Sequence, residues 1–369
     1  MNMKHQNTYL FRDILERVEI PVNVEPDKEY VQIGIRSHGK GLFYKEPVLG
    51  KALGNKQVFW IQPNCFILNV VFAWEQAITK TTENEIGMIG SHRFPMYRPK
   101  NDLVDINYLI YYFLTKRGTD ILEAASPGGA GRNRTLGQER FLKSKITLPT
   151  LPEQQKIAAI LSTQDKVIEL KEKLLAQKQQ QKKYLMQQLL TGKLRLPGFS
   201  GEWQFAKLEN VSKYSASAAS FKTYESHLGC GPYPVYDATG CFGNIDFYEN
   251  EQPYISIVKD GAGAGRVALC KAKSSTIGTL GCIFANDIDL LYLFYCMSAV
   301  DFQIYSNGST IPHVYYKDYK NMVLYLPCEL EQKAIVEILS AADHEIDLLQ
   351  KSIEAEKQKK KALMQLLLT

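Results

Sequence analysis

Residues 148–191 read LPTLPEQQKIAAILSTQDKVIELKEKLLAQKQQQKKYLMQQLLT, and residues 326–369 read LPCELEQKAIVEILSAADHEIDLLQKSIEAEKQKKKALMQLLLT. At one constant offset of 178, with no gap, Glu153-Gln154 returns as Glu331-Gln332 and Leu161-Ser162 as Leu339-Ser340. Leu185-Met186-Gln187 likewise returns as Leu363-Met364-Gln365. Roughly half the aligned positions are identical, well beyond the composition bias of helices, so this is an internal repeat. The chain is two similar halves, each ending in this segment.

Both copies are rich in Leu, Lys, Gln, Glu and Ala, and neither contains Gly or Pro after its Glu-Gln pair. The composition predicts two long helices. Apolar residues recur at heptad spacing. One seam runs Leu161, Ile168, Leu175, Lys182, Leu189 against Leu339, Ile346, Ile353, Lys360, Leu367. A second runs Ile157, Gln164, Lys171, Lys178, Leu185 against Ile335, Ala342, Leu349, Glu356, Leu363, and is weaker in the first copy. The bland alternative is two unrelated amphipathic helices, each on its own core. The register match favours pairing of the two with each other.

Chain order sets the direction of that pairing. Only Gly192–Trp203 separates the first helix from the second globular region. A parallel pair would need the chain to travel back the helix length, roughly 57 Å at 1.5 Å per residue. Antiparallel pairing needs no such excursion. The expectation is an α+β protein with two similar mixed α/β domains, separated by a long antiparallel two-helix coiled coil and related by a pseudo-twofold axis. Its parts are residues 1–150, the central helix and linker 151–197, residues 198–327, and the C-terminal helix 328–369.

Length (369 residues) and a 45% hydrophobic content allow two cores of ordinary size. Seven cysteines without a C-x-x-C spacing point to reduced thiols in the cytoplasm rather than zinc or disulfides. No apolar run reaches membrane-spanning length, and the N-terminus lacks a signal peptide's apolar core. Net charge is +5 over residues 1–150, +5 over 151–197, −3 over 198–327 and −2 over 328–369. The two helices therefore carry opposite charge, which favours their mutual pairing.

Within the halves, Tyr9–Leu15 and Phe205–Val211 resemble each other and read as short lead-in helices. Strands are expected at 30–35, 58–61, 66–72 and 86–89, and again at 254–258, 266–269, 276–280 and 282–284. Helices are expected from about Asp105 to Thr115 and from about Asp289, with Tyr108 and Tyr292 in the cores. Gly-rich turns follow, then a short strand ending in Leu-Pro before each long helix.

Chemistry is sparse. Gly34–Gly41 nearly matches a phosphate-binding loop, but Gly41 stands where Ser or Thr would hold Mg²⁺, so a plain turn is the expected reading. Gly261–Gly265 lies between two expected strands rather than before a helix, so it reads as a hairpin turn and not a dinucleotide site. No H-E-x-x-H or G-x-S-x-G motif and no Cys/His metal spacing occurs. The chain is expected to carry no catalytic residues and no metal.

Globular region, long helix, globular region, long helix, with Leu148-Pro-Thr-Leu-Pro-Glu153-Gln154 and Leu326-Pro-Cys-Glu-Leu-Glu331-Gln332 at the helix starts, resembles the specificity subunit of Type I restriction–modification systems. Gly131–Thr135 and Arg140–Leu142 also resemble that family's approach to the first helix. The resemblance implies two target-recognition domains, each reading half of a bipartite double-stranded DNA site, with the helix pair as the ruler between them. It further implies two docked methyltransferase subunits that bind S-adenosylmethionine, and translocase–nuclease subunits that use ATP and Mg²⁺, in a defence against phage DNA. No cofactor is expected in this chain. On that reading, the DNA-contact candidates are Arg93, Arg98, Arg132, Arg134 and Lys143 in the first half. In the second they are Lys259, Arg266, Ser309, Thr310, His313, Lys317 and Lys320. Arginine can read guanine edges, whereas lysine mainly holds phosphates. The alternatives are a coiled-coil adaptor with two protein-binding domains and no DNA binding, or an enzyme using the Lys40 turn.

Overall fold

The computed structural model describes residues 7–54, 56–128, 134–308 and 311–368. It divides into two compact units: the residues up to Lys171 together with those from Ser352 on, and Glu172–Lys351.

In the first unit, strand Asn7–Leu10 pairs antiparallel with Lys145–Leu148, so the start of the unit is held against the approach to the first long helix. One helical turn, Phe11–Ile14, follows, and Phe11 and Ile14 are fully buried. Next comes a four-stranded antiparallel sheet in the order Leu15–Val18, Met96–Pro99, Phe66–Leu68, Ile78–Lys80. Helix Ile106–Phe113 packs its apolar residues into the same core, beneath stacked rings of Phe11, Phe66, Phe113 and Phe141. Asp105 caps that helix by accepting from the Tyr108 amide at 2.8 Å.

The second unit repeats the plan. Gln204–Lys207 pairs with Val323–Leu326, and a helical turn, Leu208–Val211, follows. The sheet order is Ser212–Ala216, Leu280–Ala285, Tyr254–Val258, Val267–Cys270. Asp289 caps Leu290–Ser298 by accepting from the Tyr292 amide at 2.9 Å. This unit adds a three-stranded sheet around the hairpin Tyr233–Asp237/Gly240–Ile245. Tyr108 and Tyr292 lie buried in their respective cores.

The long helices span Leu151–Leu189 and Glu329–Leu368, each beginning two residues before its Glu-Gln pair. Pro152 is accommodated because the first turn of a helix has no amide to lose. Gly192, at φ +69, ends the first helix region against the Trp203 ring, where a left-handed conformation favours glycine.

Several expected elements differ. The lead-in segments are a strand plus one helical turn, not helices, because their extended part pairs with a strand more than a hundred residues away. The strand from Phe66 ends at Leu68, where the Asn69 side chain accepts from the Val71 amide at 3.0 Å and turns the chain. Of the expected strand 86–89 only Ile89 remains, since a capped turn at Glu83–Glu85 and Gly87 at φ +83 precede it. Over 276–280, only Thr276 and Leu280 lie in strands; the chain turns between them, with the Leu280 amide donating to the Ile277 carbonyl at 3.0 Å.

Candidate nucleic-acid interface and helix pair

Each unit contains half of each long helix, and in each the two halves run antiparallel. In the first unit Gln164 meets Glu356 and Lys171 meets Ser352. In the second Lys178 meets Glu345 and Lys182 meets Asp343. All thirteen seam residues, Ile157, Leu161, Ile168, Leu175, Leu185, Leu189, Ile335, Leu339, Ile346, Leu349, Ile353, Leu363 and Leu367, are buried or half-buried. Those near the helix starts and ends also enter the domain cores: Ile157 and Leu161 join the first, and Leu189, Ile335 and Leu339 the second.

The polar interruptions of the seam have specific partners. Lys360 Nζ lies 2.5 Å from Asp165, whose other carboxylate oxygen accepts from the Tyr111 hydroxyl at 2.8 Å. The same three residue types recur in the second unit. Lys182 pairs with Asp343, which accepts from the Tyr295 hydroxyl at 2.8 Å. Each lysine also lies over its tyrosine ring, at 5.7 Å for Tyr111 and 5.4 Å for Tyr295. Burial foremost, and then the neighbouring carboxylate, raise both phenols, Tyr295 to about 12. A polar pair inside an apolar seam costs stability in any other register, so it fixes this one.

The weak row of the first copy is completed by the second. Glu356 accepts from Gln164 Nε2 at 2.7 Å and from Lys171 Nζ at 2.9 Å. At the matching places in the second unit stand Ala342 and Leu349, with Lys178 in place of Glu356. Hydrogen bonds from Lys171 and then Gln164 hold the Glu356 carboxyl down, from 4.5 to about 2. The Gln of each Glu-Gln pair also has a defined task. Gln154 Oε1 accepts from the Asp105 amide at 2.9 Å while its Nε2 donates to the carbonyls of Leu103 and Pro149. Gln332 accepts from the Asp289 amide at 3.1 Å and donates to the Pro327 carbonyl. Each Gln thus joins a domain helix to the start of a long helix.

The DNA-contact candidates divide into groups. In the first unit, the Val70 amide donates to the Arg93 carbonyl (3.0 Å) and the Leu136 amide to the Val70 carbonyl (2.8 Å). These bonds bring Arg93 and Arg134 to one segment, where the Arg134 guanidinium lies 5.4 Å from the Trp74 ring. Arg98 instead sits on the sheet, opposite Glu16, and Lys143 ends its helix 3.9 Å from Glu139. In the second unit, the Val314 amide donates to the Lys259 carbonyl (2.8 Å) and the Gly261 amide to the Pro312 carbonyl (3.0 Å). These bonds draw Lys259, His313 and Lys317 together beside the Gly261–Gly265 turn. Arg266, which donates to the Ala238 carbonyl, borders that turn. Lys320 is drawn elsewhere, 2.8 Å from Glu209. Arg132, Ser309 and Thr310 lie outside the described residues.

Sequence reasoning missed Asp165, Asp343 and their tyrosines, although the aspartates occupy one repeat position. It also missed Trp74, Asp260 and Tyr315 beside the charged groups. The Lys40 turn is a hairpin between Ile33–Ile35 and Leu42–Tyr44, with no helix after it to receive a phosphate. Among the described residues, no cluster of His, Cys, Asp and Glu could hold a metal ion, and no helix is long and apolar enough to cross a membrane.

Comparison with known proteins agrees with this architecture. Residues 24–179 and 200–357 each match the family model of the Type I restriction modification DNA specificity domain. The chain is 26% identical over 299 residues to the putative type I restriction enzyme MjaX specificity subunit of Methanocaldococcus jannaschii, covering 74% of this chain and 70% of that protein. It is 37% identical over 131 residues to the MjaVIII specificity subunit of the same organism, covering 34% of this chain and 30% of that protein. Among solved structures, the HsdS subunit from Thermoanaerobacter tengcongensis superposes with a TM-score of 0.54 at 18% identity, over 99% of this chain and 97% of that one. The S subunit from M. genitalium gives 0.64 at 15% identity, over 100% and 97%. A chain from a structure of complex assembly and conformational transition of the type I R-M system gives 0.60 at 17%, over 99% and 97%. With two copies of the family's domain, each at the matching place in a repeated fold, the chain belongs to the Type I restriction–modification DNA specificity family.

Proposed function

We propose that each domain reads one half of a bipartite double-stranded DNA target, and that the helix pair sets the unread spacer and docks two methyltransferase subunits. Those subunits bind S-adenosylmethionine and carry the adenine chemistry; this chain supplies recognition and no catalytic group. Translocase–nuclease subunits using ATP and Mg²⁺ complete a complex that cuts unmodified DNA.

One observation carries the reading. The amides of Leu136 and Val314 make the same 2.8 Å bond to a sheet-end carbonyl, of Val70 and Lys259 respectively. The residues just before them differ: Thr135 in one repeat, His313 in the other. The neighbours differ as well, Trp74 with Arg134 in one and Asp260 with Tyr315 in the other. A constant scaffold bearing different side chains suits two domains that read two different half-sequences.

The test is to express the chain with its cognate methyltransferase subunits and map methylated adenines across a genome. The expected result is one motif of two short specified blocks around an unspecified gap. Methylation by the purified chain alone, or a single contiguous motif, overturns the proposal.

A further inference from the structure

We infer that His313, held through its Nδ1 by Asp260, is a base-reading side chain of the second domain, with Nε2 as the atom that reads. The inference rests on the DNA-recognition role proposed above and goes on to assign a specificity-determining residue.

The geometry comes first. His313 Nδ1 lies 2.6 Å from Asp260 Oδ1. An ionised carboxylate can only accept, so Nδ1 carries the proton and donates it. That choice fixes the tautomer of the neutral ring and leaves Nε2 as an acceptor, suited to the exocyclic amino group of adenine or cytosine in the major groove. The ring is held flat as well as turned. It stacks on Tyr315 with centroids 5.8 Å apart and planes within 3°, and Lys317 Nζ lies 5.6 Å from the Tyr315 centroid. His313 and Asp260 keep 34% and 39% of their side-chain surface, so the pair is at the surface and not sealed in the core.

A purely structural role for the pair explains less. The two segments are already joined by backbone bonds from Val314 to Lys259 and from Gly261 to Pro312. A carboxylate on a surface that meets phosphates is unfavourable unless it has a task of its own. Here it is engaged by the imidazole, while Lys317 lies over the Tyr315 ring, and neither Lys259 nor Lys317 makes an ion pair with a carboxylate among the described residues. The position also differs between the two repeats, Thr135 against His313, beside the shared backbone bond.

The experiment selects DNA from a randomised duplex pool, at one salt concentration, with the full chain in complex with its cognate methyltransferase subunits. Wild type, His313→Ala and Asp260→Asn are compared. The expected result is that His313→Ala loses preference at one base pair of one half-site, by roughly 5–30-fold. The other half-site and the salt dependence stay as in wild type. Asp260→Asn, which no longer fixes the tautomer, relaxes the same base pair. An unchanged motif, or weaker binding to all sequences alike, overturns the inference and leaves the DNA-recognition role standing. If wild type selects no bipartite motif, both fall. If His313→Ala erases a whole half-site through misfolding, the isosteric Asp260→Asn decides: relaxation at a single base pair upholds the assignment, and any other motif refutes it.

Discussion

Glu356 shows how one side chain can settle which helix pairs with which. It receives donors from both Gln164 and Lys171, where an apolar seam would otherwise be broken twice. Two copies of the first helix paired antiparallel would instead set Lys171 near Lys178, a like-charge contact. Because the folded-state carboxyl is held at about 2, below its ordinary 4.5, its contribution is fully present above pH 4.5 and disappears as pH falls toward 2. Thermal melts between pH 5 and pH 2 should therefore show wild type losing more stability than Glu356→Gln. The two curves converge at the acid end. Parallel curves across that window would mean the carboxylate does not hold the pair together.

At the scale of elements, the long helices were legible because their signal is local and occurs twice. The offset matched their seams, opposite charge favoured their pairing with each other, and the short linker set their direction. The domain strands were less legible, because their pairing is non-local: Tyr9 and Leu10 looked helical with Phe11, yet they belong to strand Asn7–Leu10, whose partner is Lys145–Leu148. The site was legible only as residue types. Lysines and arginines could be named, but which of them converge depends on backbone bonds such as Val314 to Lys259, which no spacing reveals. Lys320 could be named on its charge, but its pairing with Glu209 has no counterpart in any spacing. The helices also carry a direct test of the spacer role. Seven residues inserted after Ala176 and seven after Glu354 lengthen each helix by roughly 10 Å and keep its heptads in phase. The pairs Lys182–Asp343 and Lys360–Asp165 lie outside the inserted stretch and stay matched. The methylated motif should keep both specified blocks while its gap grows by a few base pairs. A changed block with an unchanged gap would assign the spacing to something other than the helices, and four-residue insertions should abolish assembly.

For the molecule as a whole, the first unit is not a continuous piece of chain. Leu368 is buried among Ile157, Ala158 and Leu161, so the end of the second long helix completes the first core. Leu368→Ala should destabilise that unit by about 2–5 kcal/mol, as for other buried leucines. Hydrogen exchange should quicken at Phe66–Leu68 and leave Tyr254–Val258 as protected as before; equal change in both would show that the cores do not open separately. The same arrangement bears on biosynthesis. Between Lys171 and Ser352 the ribosome must add the 180 residues of the second unit. At roughly 5–20 residues per second that takes on the order of 10–40 s. During that interval the first domain has emerged with Ile157 and Leu161 uncovered. Its nascent chain is open to chaperones and proteases until the second unit has been made and the returning helix closes it.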